Sequence, residues 1–423
     1  MPAAANAADE KAAPPNPFQE ALTIGAFGRP IVAEGEDLSS PFANAHAIEQ
    51  DSYKVQYNGQ YGLAAAYATR APNASDGSNR SRPVAIWNDG TEGPEPVDRR
   101  VPNPLDAQGK PLWLDGYQGR QALNYLVTEL FGQAKTAELD RLFNDWSDSG
   151  IRMADGRWRL VSYQAGLTNL FAPGANWELT YKVIADWRKN APQSRAAAIA
   201  EAIYWLQYGW MARGNGYANS VTDDGWRLFR ERLEKGKAVL LDAKSYAASS
   251  PLWGRVMIQI GTGLGWPHED LLGVARDAAA REKTYAPIYT AMANALTPKW
   301  GGDWKIVDAY IRDVQKNAPA STGHEFYTRL YMVTAEGLGA EFDLFRDTSA
   351  EWPAMKAGFE DMMRNYPHSG ANLNVFAVYA CIAGDRETFR RVRFQLGGQA
   401  DATLWPSNHS LDLCDHKYGA PPI

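Results

Sequence analysis

The sequence predicts an all-α protein: helical hairpins stacked as a solenoid-like or α/α array, behind an irregular N-terminal segment that carries one or two β-hairpins. Three observations predict it. After Gly119, apolar residues recur at helical spacing in segments of about 12 to 20 residues, with few strand candidates among them. The breaks carry turn punctuation, including Pro173-Gly174, Pro192, Gly265-Trp266-Pro267, Pro298, Gly301-Gly302 and Pro367. Finally, Ala196 to Leu241 spells out a complete helical hairpin.

In that hairpin Ile199, Ile203, Leu206 and Trp210 share one helical face, and Tyr204, Tyr208 and Met211 run beside it. A helix apolar on two faces packs between neighbours. Gly214 and Gly216 end it, since glycine adopts a helix-stop backbone without steric cost. Ser220 and Asp223 have capping-box spacing for a second helix, which carries Trp226, Phe229, Leu233 and Leu240 back along the first.

In chain order, residues 1–17 are rich in alanine and proline and read as a disordered or extended arm. Residues 18–119 are rich in Gly, Pro, Asn and Asp and form an irregular module. There Val55 to Tyr61, VQYNGQY, sets Asn58-Gly59 between alternating apolar residues, a hairpin signal. Residues 120–405 make the helical-repeat domain. Its predicted helices are Arg120–Gln133, Thr136–Ser147, Trp158–Leu170, Trp177–Asn190, Ala196–Arg213, Asp223–Ala243, Leu252–Gly261, Glu269–Lys283, Tyr285–Leu296, Trp304–Asn317, Gly323–Gly337, Glu351–Tyr366, Ala371–Ala383 and Arg386–Leu396. Hairpins recur every 35 to 45 residues or so, the range of helical solenoids. Residues 406–423 are a C-terminal tail.

Composition removes several classes. Net charge is −6, which argues against a nucleic-acid surface built from clustered Lys and Arg. No apolar run approaches the roughly 18 residues of a membrane span, so no integral membrane segment is expected. Fifteen tryptophans and twenty tyrosines either fill gaps between helices or line a surface for a sugar, peptide or protein. Cys381 and Cys414 form one disulfide tying the tail to the last helices, or are two separate thiols. His409 and His416 flank Cys414 at no finger spacing, so neither a metal nor any cofactor is expected. The small residues at the start resemble the mature terminus that export cleavage leaves, which points to a periplasmic or envelope location, with cytoplasmic or secreted as the alternatives.

Short pieces resemble tetratricopeptide repeats: Val375–Leu396, with Ala-Gly-Asp between its helices, and Leu126–Trp146. More broadly, residues from about 125 to 405 resemble an uncharacterised bacterial family of helical proteins, a domain of unknown function. The residues that carry the resemblance are Trp187 with Pro192 and Ser194; Ala212-Arg213-Gly214 with Gly216-Tyr217-Ala218 and Val221; Pro298-Lys299-Trp300-Gly301; and Ala380-Cys381 with Gly384-Asp385. The resemblance implies a helical-repeat body and brings no established activity.

Catalytic motifs fail on inspection. In VMIQIGTGLGW the third glycine of a dinucleotide loop would fall on Trp266. In HEFYT the second histidine of a zinc-protease helix would fall on Thr328. Asp223, Asp224, Glu269, Asp270 and Asp303 all sit at helix starts, where capping explains them. Arg213 ends the doubly buried helix and either stabilises its C-terminus or reaches into the groove of the array to meet an anion. The candidate partner-binding residues are Arg213, Tyr217, Tyr208, Trp226, Trp300 and Trp304. The expected function is non-enzymatic: a helical-repeat protein holding a protein partner in a concave groove, as a secretion or envelope assembly factor or a toxin antagonist. Two alternatives remain, a carbohydrate-active enzyme with an α/α-toroid body, and a secreted effector whose N-terminal segment loads it.

Overall fold

The computed structural model describes residues 113–171, 175–214, 218–335, 342–397, 400–401, 404–406 and 409–419. The expected N-terminal arm and β-hairpins lie outside the described residues. Within them the protein is all-α, with a lone bridge between Arg152 and Trp158 in place of a sheet.

The helices are of two kinds. One kind is buried along nearly its whole surface: α1 (Gly116–Gly132), α3 (Leu160–Thr168), α5 (Arg195–Arg213), α8 (Pro251–Gly263), α10 (Ala286–Ala295), α12 (Glu325–Ala335) and α15 (Gly370–Ile382). The other kind buries a single stripe: α2 (Thr136–Ser149), α4 (Trp177–Asn190), α6 (Asp223–Asp242), α9 (His268–Arg281), α11 (Trp304–Asn317), α14 (Trp352–Asn365) and α16 (Arg386–Leu396). In α2 the stripe is Leu139, Leu142, Phe143 and Trp146; in α14 it is Met355, Phe359 and Met362. Three- and four-residue steps put each set on one face, so these helices form an outer layer over the first kind. Short α7 (Lys244–Ala247) and α13 (Leu344–Asp347) sit in connections, and α17 (Leu411–Tyr418) comes after α16.

The inner helices pack in order, α1 on α3, α3 on α5, α5 on α8, α8 on α10 and α10 on α12. From there α12 meets α14, α14 meets α15, and α15 returns to α1, so the array closes on itself. The closure is hydrogen bonded. Asp115, just before α1, accepts from Ser369 Oγ at 2.7 Å and from the Ala371 N–H at 3.0 Å. Close packing needs small residues at crossings: a Cβ on Gly166 of α3 would lie 2.4 Å from the Asn124 carbonyl oxygen of α1. Thr128 Oγ1 donates to the Gly166 carbonyl across the same contact at 2.8 Å.

Of the carboxylates read as caps, Asp303 caps α11, whereas Asp223 and Asp224 follow the Thr222 cap of α6, and Glu269 and Asp270 follow Pro267, which has no side-chain oxygen to offer α9. Asn176, Ser194, Asp303, Ser369 and Asp385 cap their helices through side-chain oxygens. At α6 the cap is Thr222, which accepts from the Gly225 N–H at 3.0 Å; the Ser220–Asp223 box expected there does not form, because the helix begins one residue after Thr222. Gly214 ends α5 at φ +72° as expected, whereas Met211, read as part of a buried stripe, is 48% exposed. Tryptophans fill the interior, with Trp146 and Trp187 among the largest fully buried side chains. Cys381 and Cys414 are bonded, joining α17 to α15 across a Cα–Cα distance of 6.0 Å. The stretch read as a tail therefore contains a tethered helix.

Candidate functional site

The α2–α3 connection, residues 150–159, folds over one end of the inner helices. Met153 N donates to the Arg157 carbonyl at 2.8 Å and Arg159 N to the Ile151 carbonyl at 3.0 Å, which brings the loop back on itself. Its tip is anchored by distant helices: the Asp155 carbonyl accepts from Arg329 Nη2 of α12 at 2.7 Å and from Asn372 Nδ2 of α15 at 3.3 Å. Gly156 at the tip has φ +83°, and a Cβ there would meet the Tyr366 ring at 2.2 Å. Only glycine fits that conformation and that space.

Beneath this loop lies a pocket of about 120 Å³, walled by the loop, the start of α3, and α1, α8, α10 and α12. Arg120, Arg152, Arg157, Arg255 and Arg329 line it, and Glu325 is the one carboxylate among its lining residues. Trp158, Val161, Pro287, Ala291, Phe326, Met332 and Val333 supply apolar wall, with Gln259, Thr290 and Asn294 between them.

Four of the five arginines, Arg152, Arg157, Arg255 and Arg329, have contacts that hold them in place. Arg152 donates from Nη1 to the Gly156 carbonyl at 3.3 Å and to the Tyr366 hydroxyl at 3.2 Å, and lies 5.7 Å from the Trp158 ring centre. Arg157 pairs with the buried Asp155 carboxylate at 3.4 Å. Arg255 is buried in α8, where loss of hydration lowers its affinity for a proton and the Tyr285 hydroxyl partly offsets this. Burial likewise pushes Tyr285 up to about 12. Behind the wall, burial and the nearby Asp155 push the Asp115 carboxyl up to about 7. Asp155 is raised by burial too, against the pull of Arg120 and Arg329.

Glu325 opens α12 and is 2% exposed. Among the described residues its Oε2 accepts no hydrogen bond, and Arg329 Nη2 lies 3.9 Å away. A buried carboxylate oxygen without a donor is costly.

Five guanidinium groups around one small cavity, offset by Glu325 in the lining and by the Asp155 carboxyl beside Arg157, leave an excess of positive charge there in a chain whose net charge is −6. Low-dielectric walls focus the resulting field, and guanidinium forks match carboxylate and phosphate oxygens. Among the described residues the pocket lining contains no histidine, cysteine or serine and no second carboxylate. The arrangement is suited to holding an anion.

The residues singled out from the sequence lie elsewhere. Arg213 donates from Nη1 to the Gly214 carbonyl at 3.1 Å and stands 5.4 Å from the Trp210 ring and 5.1 Å from that of Trp226. Trp300 meets Trp210 edge-on at 6.3 Å, so Arg213 and Trp300 both lie against Trp210, and Arg213 links it to Trp226. Tyr208 belongs to another cluster, stacked on Trp177 at 4.8 Å with the Arg232 guanidinium 3.3 Å above its ring. Trp304 packs on Phe342, 6.0 Å between ring centres. Tyr217 lies outside the described residues. None of the five described candidates lines the pocket. The pocket residues did leave a sequence signal: Arg255 interrupts the apolar run Pro251–Ile260, and Arg329 interrupts Phe326–Val333. A charge inside an otherwise apolar helix must face a polar cavity or a partner.

A closed α/α array with a cationic interior pocket is the class of object that fold and site define. Residues 125–298 match the family model described as "Domain of unknown function (DUF4034)". No curated protein and no solved structure matches the chain. The matched span contributes Arg152, Arg157 and Arg255, while Arg120, Glu325 and Arg329 come from outside it. The match ends short of the expected residue 405: of the residues read as carrying the resemblance, Trp187, Pro192, Ser194 and the Arg213 motif lie inside it, and Trp300, Cys381 and Asp385 lie beyond it. Several of them have structural roles. Trp187 Nε1 donates to Asp140 Oδ2 at 3.1 Å, and Ser194 Oγ bonds the other oxygen of that carboxylate. Asp385 gathers Trp352 Nε1, Lys356 Nζ and the Thr388 N–H around its carboxylate.

Proposed function

We propose that this protein is a non-enzymatic binding protein whose working feature is the arginine pocket, in which it holds an anionic group. The observation that carries this reading is the lining of five arginines against one carboxylate. A hydrolytic glycosidase needs two carboxylates placed across the scissile bond, and this lining offers Glu325 alone, so the carbohydrate-enzyme reading draws less support. A protein partner meeting the C-terminal end of α5 is a second reading, supported by Arg213 lying against both Trp210 and Trp226 and by Trp300 meeting Trp210. The Cys381–Cys414 bond supports placing the protein in an oxidising compartment such as the periplasm. Among the described residues no helix is long and apolar enough to cross a membrane.

The test is calorimetric titration of the full chain with small carboxylates and inorganic phosphate at low ionic strength. Binding that is weakened by added chloride, and weakened at least tenfold by Arg255→Gln or Arg120→Gln, is the expected result. Wild-type affinity in both variants removes the pocket from the function.

A further inference from the structure

The pocket carries two opposite requirements in one small space. Its arginines call for a negative group. Glu325, nearly fully buried in the same wall, has a carboxylate oxygen that accepts no hydrogen bond among the described residues, and its ion-pair partner Arg329 stands off at 3.9 Å. A simple anion satisfies the first and worsens the second, because it brings negative charge beside Glu325 without a proton to share. A ligand that carries a hydrogen-bond donor next to its anionic group satisfies both. The volume, about 120 Å³, compares with the ~150 Å³ cavity that takes up a benzene ring. The apolar wall of Trp158, Pro287, Ala291, Phe326, Met332 and Val333 favours a hydrocarbon body over a fully polar one.

We infer that the pocket binds a small organic acid of about five carbons, with its carboxylate on the arginines, an ammonium or hydroxyl on the neighbouring carbon donating to Glu325, and a branched apolar body against Trp158 and Phe326. The inference deepens the anion-binding reading and rests on it. Glu325 is a specificity-determining residue in this scheme: it does not attract the ligand from solution but rejects acids that lack the donor. Inorganic phosphate and plain alkyl carboxylates meet the cations yet leave Glu325 Oε2 without a proton. Asn294 and Thr290, also in the lining, carry oxygens of the kind that accept the remaining protons of an ammonium group.

Three acids of one shape separate the requirements: valine, 2-hydroxy-3-methylbutanoate and 3-methylbutanoate, which carry ammonium, hydroxyl and hydrogen on the same carbon. Inorganic phosphate is the fourth probe. Titrated into the full chain, at least one of the first two binds about tenfold or more tightly than 3-methylbutanoate and than phosphate. In Glu325→Leu, and in Glu325→Gln as the isosteric variant, that preference over 3-methylbutanoate shrinks at least threefold, while 3-methylbutanoate itself binds no more weakly. Thermal unfolding of both variants shows whether the fold is kept. Equal affinity for the three acids, or tighter binding of phosphate, overturns the inference and leaves the anion-binding reading standing. A preference that survives intact in both folded variants also overturns it, since another group then accepts the donor. Failure of all four probes to bind overturns the anion-binding reading itself.

Discussion

Replacing Asp115 by asparagine tests whether the array is closed by a carboxyl group that holds a proton near neutral pH. Asp115 is buried at the α1–α15 contact and beside Asp155, and its pKa is pushed up to about 7 from an ordinary 3.8. At about 1.4 kcal/mol per pH unit, the difference amounts to on the order of 4 kcal/mol. The direction comes from proton counting. Between about pH 4 and 7 the folded chain holds this proton and the unfolded chain does not, so stability falls as pH rises through that window. Below about pH 4 both states are protonated and the full contribution is present. Above 7 both are ionised, and the folded protein carries a buried charge beside Asp155.

An asparagine in place of Asp115 keeps the closure. Its carbonyl accepts from the Ala371 N–H, and its amide donates to Ser369 Oγ, whose hydroxyl rotates from donor to acceptor. Asp155, relieved of its neighbour's charge, then ionises more readily, because the two carboxyls titrate as a pair. Urea unfolding of the full chain, monitored by tryptophan fluorescence from pH 4 to 8, is the assay. Asp115→Asn is expected to flatten the decline in stability between pH 4 and 7 and to exceed wild type at pH 8 by up to about 4 kcal/mol. An unchanged pH slope in the variant refutes the reasoning, because the proton then resides elsewhere.

Three further perturbations test other contacts. Cys414→Ser opens the Cys381–Cys414 bond, whose sequence separation of 33 gives a loop-closure contribution of about 4 kcal/mol, read as a lower melting temperature that reductant does not lower further. Gly156→Ala adds a Cβ against the Tyr366 ring at φ +83°, for a loss of about 3 kcal/mol in unfolding free energy; wild-type stability shows that the loop tip repacks freely. Arg213→Ala removes a guanidinium set between Trp210 and Trp226 and bonded to the Gly214 carbonyl, at a cost of about 1 to 2 kcal/mol. If affinity for a co-purified protein partner also falls, Arg213 belongs to a contact surface; a loss of stability alone marks it as a helix-end residue.

The fold class was legible because helical periodicity is local. The stripe Leu139, Leu142, Phe143 and Trp146 lies within eight residues of chain, and Trp177–Asn190, Trp304–Asn317 and Arg386–Leu396 have the bounds their capping and apolar spacing predict. Asp303 and Asp385 at N-caps, and Gly214 at a C-cap, likewise act on neighbours a few residues away. Weak local signals were missed. The helix Leu411–Tyr418 has little amphipathic pattern and is held by Cys414 and by Arg393, which pairs with Asp415 at 3.0 Å.

The sequence by itself determined most of the helices and most of their apolar faces, since both depend on contacts within one or two turns; the helix Leu411–Tyr418 and the exposed Met211 are departures. It left open the bond between Cys381 and Cys414, and left a closed toroid as one alternative without indicating that α15 would return to α1. Only the tertiary structure decided where five arginines from four separate segments meet, and that Asp155 of one loop would be gripped by Arg329 and Asn372, 174 and 217 residues further along. Burial is a property of the closed array: Arg255, Glu325 and Asp115 are ordinary charged residues in the chain, and they become costly, and therefore informative, only when water is excluded from around them.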